Sequence, residues 1–195
     1  ANSLTKVAYD PVTGNALHSE AITSLLTLPG EGLIVGTYGG GLSVVKNDGK
    51  VARTLRSLAG SSISDIIYTL LMDHDGGILV GNEQGIAKLS SDLSTITDTD
   101  FSSFLIDAGT TTKNINPVEL QHGDNNDIWV GTFQYGLMKA QRDKRLTVTA
   151  VNNVTRELNL PSISVMGIHQ DKAGSFWLSH NEGLTRFNPI TMDAR

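Results

Sequence analysis

Eight side chains in this sequence have the chemistry that grips a polar, ring-shaped ligand: Tyr38, Glu83, Gln84, Phe133, Gln134, Tyr135, Asn181 and Glu182. Aromatic faces stack on sugar rings, while carboxylates and amides hydrogen-bond hydroxyls. They fall in four short polar stretches: Thr37-Tyr38-Gly39-Gly40, Asn82-Glu83-Gln84, Thr132-Phe133-Gln134-Tyr135 and His180-Asn181-Glu182. Each follows directly on an apolar run. The stretches differ strongly from one another, and the runs beside them do not. A heterogeneous ligand surface shows this divergence, and so do unconstrained loops.

Other chemistry finds no support. The five histidines, His18, His74, His122, His169 and His180, contain no i, i+4 pair of the kind that holds zinc on a helix. His74 and His122 occupy equivalent turns of different units, where solvated turn residues are expected. Asp73-His74-Asp75-Gly76 opens like a calcium loop, but the twelfth position is Gln84 instead of Glu. Gly36-Thr37-Tyr38-Gly39-Gly40-Gly41 has the glycines of a phosphate loop, yet a strand follows where a helix N-terminus is needed. No nucleophile elbow, triad spacing or pair of catalytic carboxylates stands out. The expectation is no catalytic residue, no metal and no cofactor.

The elements that position these stretches repeat. Leu33-Ile34-Val35-Gly36-Thr37, Ile78-Leu79-Val80-Gly81-Asn82, Ile128-Trp129-Val130-Gly131-Thr132 and Phe176-Trp177-Leu178-Ser179-His180 share one pattern, and each leads to a Gly-Leu or Gly-Ile pair. The anchors stand at 36, 81, 131 and 179, in steps of 45, 50 and 48. Such a period marks a repeat architecture. Eleven residues upstream stand Leu25, Leu70, Leu120 and Ile168, and between lie turns rich in Gly, Asn and Asp. Each unit reads as strand a, tight turn, strand b, short loop, strand c, turn, strand d.

Units of four short antiparallel strands at this spacing are blades of a β-propeller, an all-β fold. A lone blade exposes two apolar faces, and stacking buries them. The columns at Leu25, Leu70, Leu120 and Ile168 are therefore expected between blades, with Trp129 and Trp177 as core fillers. The blades are placed at 21–58, 63–100, 115–152 and 162–195, the last one incomplete. Residues 1–20 end a preceding blade, with strand c at 4–8, a turn at Asp10-Pro11-Val12-Thr13-Gly14 and a short strand d at 16–18. A surplus strand c and a missing final strand d predict an arc of about four blades cut from a larger ring. The arc's exposed edges would self-associate. Phe101, Phe104, Leu105 and Ile106, with Leu58, Leu158 and Leu160, are expected to pack down from the connections.

Bulk properties agree with a folded, soluble-type domain. Of 195 residues 39% are hydrophobic and 18% charged, so a core is affordable and disorder is excluded. The net charge of −5 and the lack of a basic patch argue against nucleic acid. Cysteine is absent, which removes disulfides and thiolate zinc sites. No apolar run approaches the roughly 18 residues of a membrane span, so no direct membrane contact is expected, and Ala1-Asn2-Ser3 leads straight into strand-like sequence without a signal-peptide pattern.

Asp171-Lys172-Ala173-Gly174-Ser175-Phe176-Trp177-Leu178-Ser179 and Asp127-Ile128-Trp129-Val130-Gly131-Thr132 resemble the two-component regulator propeller repeat. Its pattern is Asp-x-x-Gly-x-Leu-Trp-Ile-Gly-Thr followed by a Gly-Leu pair, and the resemblance covers nearly the whole chain. Two departures are Ser179-His180 for Gly-Thr, and Ile34 and Leu79 for Trp. The resemblance implies a seven-bladed, periplasmic sensor propeller of a protein anchored in the bacterial inner membrane. It implies a histidine kinase or diguanylate cyclase output, which lies outside these residues, and an oligosaccharide ligand. The rivals are a propeller enzyme acting on polysaccharide, as lyase or hydrolase, and a protein-interaction scaffold.

Overall fold

Tight turns fold the chain onto itself at the expected places, and residues with positive φ make them possible. Gly30, Gly76 and Gly174 adopt φ near 80°, while Asn125 and Asn126 take the left-handed region in the third unit. In this computed structural model, which describes residues 6–10, 16–56, 63–105 and 114–195, the strands form four antiparallel sheets of four strands each, in consecutive order.

The first sheet holds β1 (Ile22–Leu28), β2 (Gly32–Thr37), β3 (Leu42–Lys46) and β4 (Val51–Leu55). The second holds β5 (Ile67–Met72), β6 (Ile78–Asn82), β7 (Gly85–Leu89) and β8 (Ile96–Asp98). The third holds β9 (Pro117–His122), β10 (Ile128–Thr132), β11 (Gly136–Arg142) and β12 (Val148–Asn153). The fourth holds β13 (Val165–Gln170), β14 (Phe176–His180), β15 (Gly183–Asn188) and β16 (Asp193–Ala194). The inner strands β1, β5, β9 and β13 lie side by side in that order. The chain is thus four blades of a β-propeller.

Several details depart from the sequence expectation. The fourth blade does have an outer strand: Phe187 pairs with Ala194 and Asn188 with Asp193. Two residues are too few to show a periodicity. The strand forms because Asn188 Oδ1 accepts the Ile190 and Thr191 N–H groups and Met192 turns with φ 61°. Strand β8 starts at Ile96 instead of Leu93, since Leu93 sits in the turn with φ 59°. Helix α1 (Val154–Leu158) was not foreseen; Asn153 caps it by accepting the Arg156 N–H, and Asn159 ends it in the left-handed region. Residues 6–8 carry no strand, and Tyr9 meets Leu17 in an isolated parallel bridge. Leu4, the turn at 11–14, Leu58, Ile106 and the polar stretch 107–113 lie outside the described residues.

Apolar side chains fill the spaces between blades. Ile34, Leu42 and Val44 of the first blade meet Ile67, Leu70 and Ile78 of the second. Leu79 and Ile86 meet Leu120, Ile128 and Val130 of the third. Phe101 and Leu105, from the 3-10 turn at Asp100–Phe104 and the residue after it, are buried in this same layer. Trp129 and Leu137 meet Ile168, Phe176 and Phe187 of the fourth. Trp129 lies edge-on to both phenylalanines, 5.5 and 5.4 Å between ring centres. Leu158 and Leu160 pack against this layer.

Equivalent residues at the two ends have no such cover among the described residues. Leu25 is 61% exposed, although Leu70, Leu120 and Ile168 in its column are all buried. At the other end Leu184 is 62% exposed, although Leu42, Ile86 and Leu137 are buried. Trp177 is not a core filler. It is the counterpart of Trp129, facing away from the third blade, and lies 37% exposed under Arg186 with its indole N–H on Asp171. The front of the first blade is half covered, because Val7 and Leu17 pack on Val35, Val45 and Val51.

Candidate ligand-binding mouth

The inner strand of every blade slips register at the same place. Ile22 pairs with Thr37 but Ser24 with Gly36, which leaves Thr23 out of the ladder. The same step omits Tyr68 in the second blade, Val118 in the third and Met166 in the fourth. A bulge bends the strand and re-aims the omitted side chain. Here all four omitted residues stand at the end where β1, β5, β9 and β13 begin, beside the loops between second and third strands.

Glycine at the anchor makes this crowding possible. A Cβ at Gly81 would meet Thr69 Cγ2 at 2.6 Å and the Pro117 carbonyl of the next blade at 2.7 Å. One at Gly131 would meet the Val165 carbonyl at 2.9 Å. The inner strand of the following blade runs across each anchor. Ser179, the departure from the pattern, is exposed, and among the described residues no strand crosses it.

The residue after each anchor pins its loop. Thr37 Oγ1 donates to the Gly41 carbonyl and accepts the Gly40 N–H. Thr132 does the same with Gly136 and Tyr135. Asn82 Oδ1 accepts the Gln84 N–H. His180 substitutes for threonine, with Nδ1 accepting the Glu182 N–H and Nε2 within 2.8 Å of Thr185 Oγ1. The loops are also bonded to the strands and connections beside them. The Gly39 and Gly41 N–H groups donate to Asp65 O, Glu83 N–H to Ile66 O, Phe133 N–H to Asn116 O and Gly136 N–H to Ile163 O. Loops and blade-to-blade connections therefore share one rim.

On that rim Tyr38 is 55% and Phe133 49% exposed, and Glu83, Gln84, Gln134, Asn181 and Glu182 are exposed as well. Tyr135 turns inward and packs on the layer between the second and third blades. Tyr38 and Glu83 flank one segment: Tyr38 bridges to Ile66, and Ile66 accepts from Glu83. Tyr68, two residues on, was not foreseen, because a bulge leaves no mark in sequence. Burial raises the pKa of its phenol, and the nearby Glu83 and Tyr38 raise it further. Glu119, on the inner strand of the third blade, was also missed. Burial pushes its carboxyl up to about 7, with only the Leu120 N–H acting against this.

At the opposite end of the blades Asp73 and Arg142 clasp the second blade to the third. The guanidinium donates twice to the carboxylate, both at 3.0 Å, and its Nε donates to Asn126 O. Lys88 donates to Asp73 at 2.8 Å and to Asp75 at 2.6 Å. Burial alone would raise the Asp73 pKa. The hydrogen bonds from Arg142, Lys88 and the His74 N–H overcome it and hold the value at about 2. His74 is an exposed turn residue, as expected, but His122 is half-buried at the end of β9, and the two rings meet across the blade boundary with centres 4.3 Å apart and planes tilted by 33°. His122 Nε2 lies 2.8 Å from the Met72 carbonyl, and Nδ1 is buried without a partner among the described residues. No group of three metal-ligating side chains occurs among the described residues.

No family model matches the chain, and no curated protein does. Solved structures do. An extracellular domain from B. thetaiotaomicron, assigned to a hybrid two component system, matches with a TM-score of 0.65 at 15% identity over 90% of this chain and 22% of its own. A second domain of that description from the same organism matches with a TM-score of 0.56 at 16% identity, over 96% of this chain and 29% of its own. Streptogramin B lyase matches with a TM-score of 0.61 at 14% identity, over 90% and 53%. The chain thus spans less than a third of the two extracellular domains and about half of the lyase. These likenesses establish the propeller fold, and the two extracellular domains agree with the repeat seen in the sequence. No helix among the described residues is long and apolar enough to cross a membrane.

Proposed function

We propose that these four blades belong to a ligand-sensing propeller in the extracytoplasmic part of a bacterial transmembrane signalling protein. The observation that carries this reading is the rim. Four pinned loops of unrelated sequence and four bulge residues are displayed at one end of a rigid scaffold, which is how binding residues are commonly presented. The fold likeness to extracellular domains of two component systems supports the cellular setting, the periplasm for a protein held in the inner membrane. In this reading the ligand is a small molecule or oligosaccharide, and the output is a histidine kinase or diguanylate cyclase elsewhere in the polypeptide. Tyr38 and Phe133 stack on the ligand, and Glu83, Gln84, Gln134, Asn181 and Glu182 hydrogen-bond it. Tyr135 lies partly behind them.

The uncovered faces bearing Leu25 at one end and Trp177 and Leu184 at the other belong to the same proposal. They are the two sides of an ordinary blade-to-blade contact, so further blades or a second copy cover them, as part of a ring of about seven.

A propeller enzyme acting on polysaccharide has one feature in its favour, the half-buried Glu119 on the inner strand near the mouth, whose burial pushes its carboxyl up to about 7. A glycan panel with parallel binding and turnover readouts separates the readings. Saturable binding without turnover, lost on Tyr38→Ala with Phe133→Ala, is expected. Glycan cleavage abolished by Glu119→Gln would replace the sensor reading with the enzyme. Self-association without ligand binding would replace it with a scaffold.

A further inference from the structure

The mouth over the first two blades has a chemical bias that narrows its ligand. We infer that it binds a ligand carrying a protonated amine, held by Tyr38, Tyr68 and Glu83. This inference rests on the sensor reading above and specifies the ligand class of the same rim.

The three side chains converge through the backbone. Residues 65–68 form the floor. Tyr38 lies on one side, on a loop whose Gly39 and Gly41 N–H groups are tied to Asp65 O at 2.9 Å. Glu83 lies on the other side, with its N–H on Ile66 O at 3.2 Å. Tyr68 is the bulge residue of this strand, so the ladder does not turn its side chain into the blade stack as it does Leu70. Thr23, Val118 and Met166 hold the same place in the other blades and offer no aromatic ring. Burial raises the pKa of the Tyr68 phenol, and Glu83 and Tyr38 raise it further.

Charge is partitioned within the inner strands and the loops between second and third strands, whereas the connections carry Arg56 and Arg156. The four inner strands (22–28, 67–72, 117–122, 165–170) and the four loops (37–41, 82–85, 132–136, 180–183) contain no Lys or Arg, although the chain has 15. The same segments contain Glu83, Glu119 and Glu182. Arg56, the cation beside this floor among the described residues, is committed to Asp65 at 2.9 Å. An anionic ligand would find no counter-charge here and would be repelled. A neutral ligand would gain stacking and hydrogen bonds alone. An ammonium group gains the Glu83 carboxylate, the faces of two phenol rings and a phenol oxygen as acceptor, a combination that recognises amines. Partial burial at Tyr68 makes the contact stronger than it would be in open water.

The test is a titration of the isotope-labelled full chain, read from the backbone amides of Tyr38, Tyr68 and Glu83. The probes are tetramethylammonium, glucosamine and N-acetylglucosamine, which separate a bare cation, an amino sugar and its neutral counterpart. Tetramethylammonium and glucosamine should shift these amides saturably, and N-acetylglucosamine should bind at least about tenfold more weakly. Glu83→Gln, at an exposed loop position, should weaken both amines about tenfold and the neutral sugar, which loses only part of a hydrogen bond to the side chain, by much less. Added salt should weaken the amines only. Equal binding of glucosamine and N-acetylglucosamine overturns the amine inference and leaves the sensor reading standing. Absence of any response of these amides to either amine also overturns it. Shifts confined to Phe133, Asn181 or Glu182 would move the site to another part of the rim, and the sensor reading would survive.

Discussion

Cutting the clasp between the second and third blades should loosen the fold by an amount the geometry allows us to estimate. Asp73 is wholly buried and Arg142 is 3% exposed, and the pair is bidentate at 3.0 Å. Removing one member of such a pair leaves a buried charge without compensation, at about 3–5 kcal/mol. The third partner softens one direction of the experiment. In Arg142→Met, Asp73 keeps Lys88 and the His74 N–H, so the loss should fall at the low end, about 3 kcal/mol. In Asp73→Asn, Lys88 can turn wholly to Asp75, but the buried Arg142 charge is left with neutral acceptors, Asn126 O and one amide oxygen, and the loss should be about 4 kcal/mol.

The same contacts also act through proton linkage. The Asp73 carboxyl stands at about 2 in the folded chain against an ordinary 3.8. That difference corresponds to about 2 kcal/mol of stability. The folded value is the lower one, so this stability is present above pH about 3.8 and is lost as pH falls toward about 2. The assay is urea unfolding of the wild type, both single variants and the double variant, near neutral pH and again near pH 3. The double variant should lose much less than the sum of the singles. Two single losses below about 1 kcal/mol, or strict additivity, would refute the argument, since exposed pairs behave that way.

Trp129→Ala should cost about 3–5 kcal/mol in the same assay, whereas Trp177→Ala, at the equivalent position of the uncovered face, should cost under about 1 kcal/mol. Equal losses would mean that a partner already covers Trp177 in solution. His122 supplies the third prediction. Burial lowers its pKa, against a smaller opposing pull from the Met72 carbonyl, so the folded state prefers the neutral ring. Stability should therefore be full above pH about 6.5 and fall as pH drops below it, with the proton count in unfolding reduced by His122→Gln. A slope between pH 7 and 5 that His122→Gln leaves unchanged would place the titration elsewhere.

What could be read from the sequence was whatever repeats locally. Gly36, Gly81 and Gly131 mark the crossings of neighbouring inner strands, and Gly30, Gly76 and Gly174 mark the turns. These two glycine columns, with the Gly-Leu or Gly-Ile pair after each anchor, are enough to set the strands. Features made by tertiary contact left no such trace. Asp73 and Arg142 are 69 positions apart, and their pairing depends on two blades being stacked. Strand β16 depends on Asn188 and a left-handed Met192, not on alternation. Leu25 and Trp177 fitted their apolar columns perfectly well, and only the absence of a described neighbour distinguishes them from Leu70 and Trp129. At the rim, the loops were legible because they interrupt a pattern. Tyr68 and Glu119 were not, because they sit inside strands whose pattern they do not break.

The repeated slip of the inner strand makes the mouth modular. Thr23, Tyr68, Val118 and Met166 each lie outside the hydrogen-bonded ladder, so their side chains can be exchanged without moving any other pair out of step. Neighbouring inner strands approach within 8 Å of each other, close enough for substitutions on adjacent blades to couple. A library varying these four positions should therefore change ligand preference, with coupled effects between adjacent blades, while the layers beneath stay as they are.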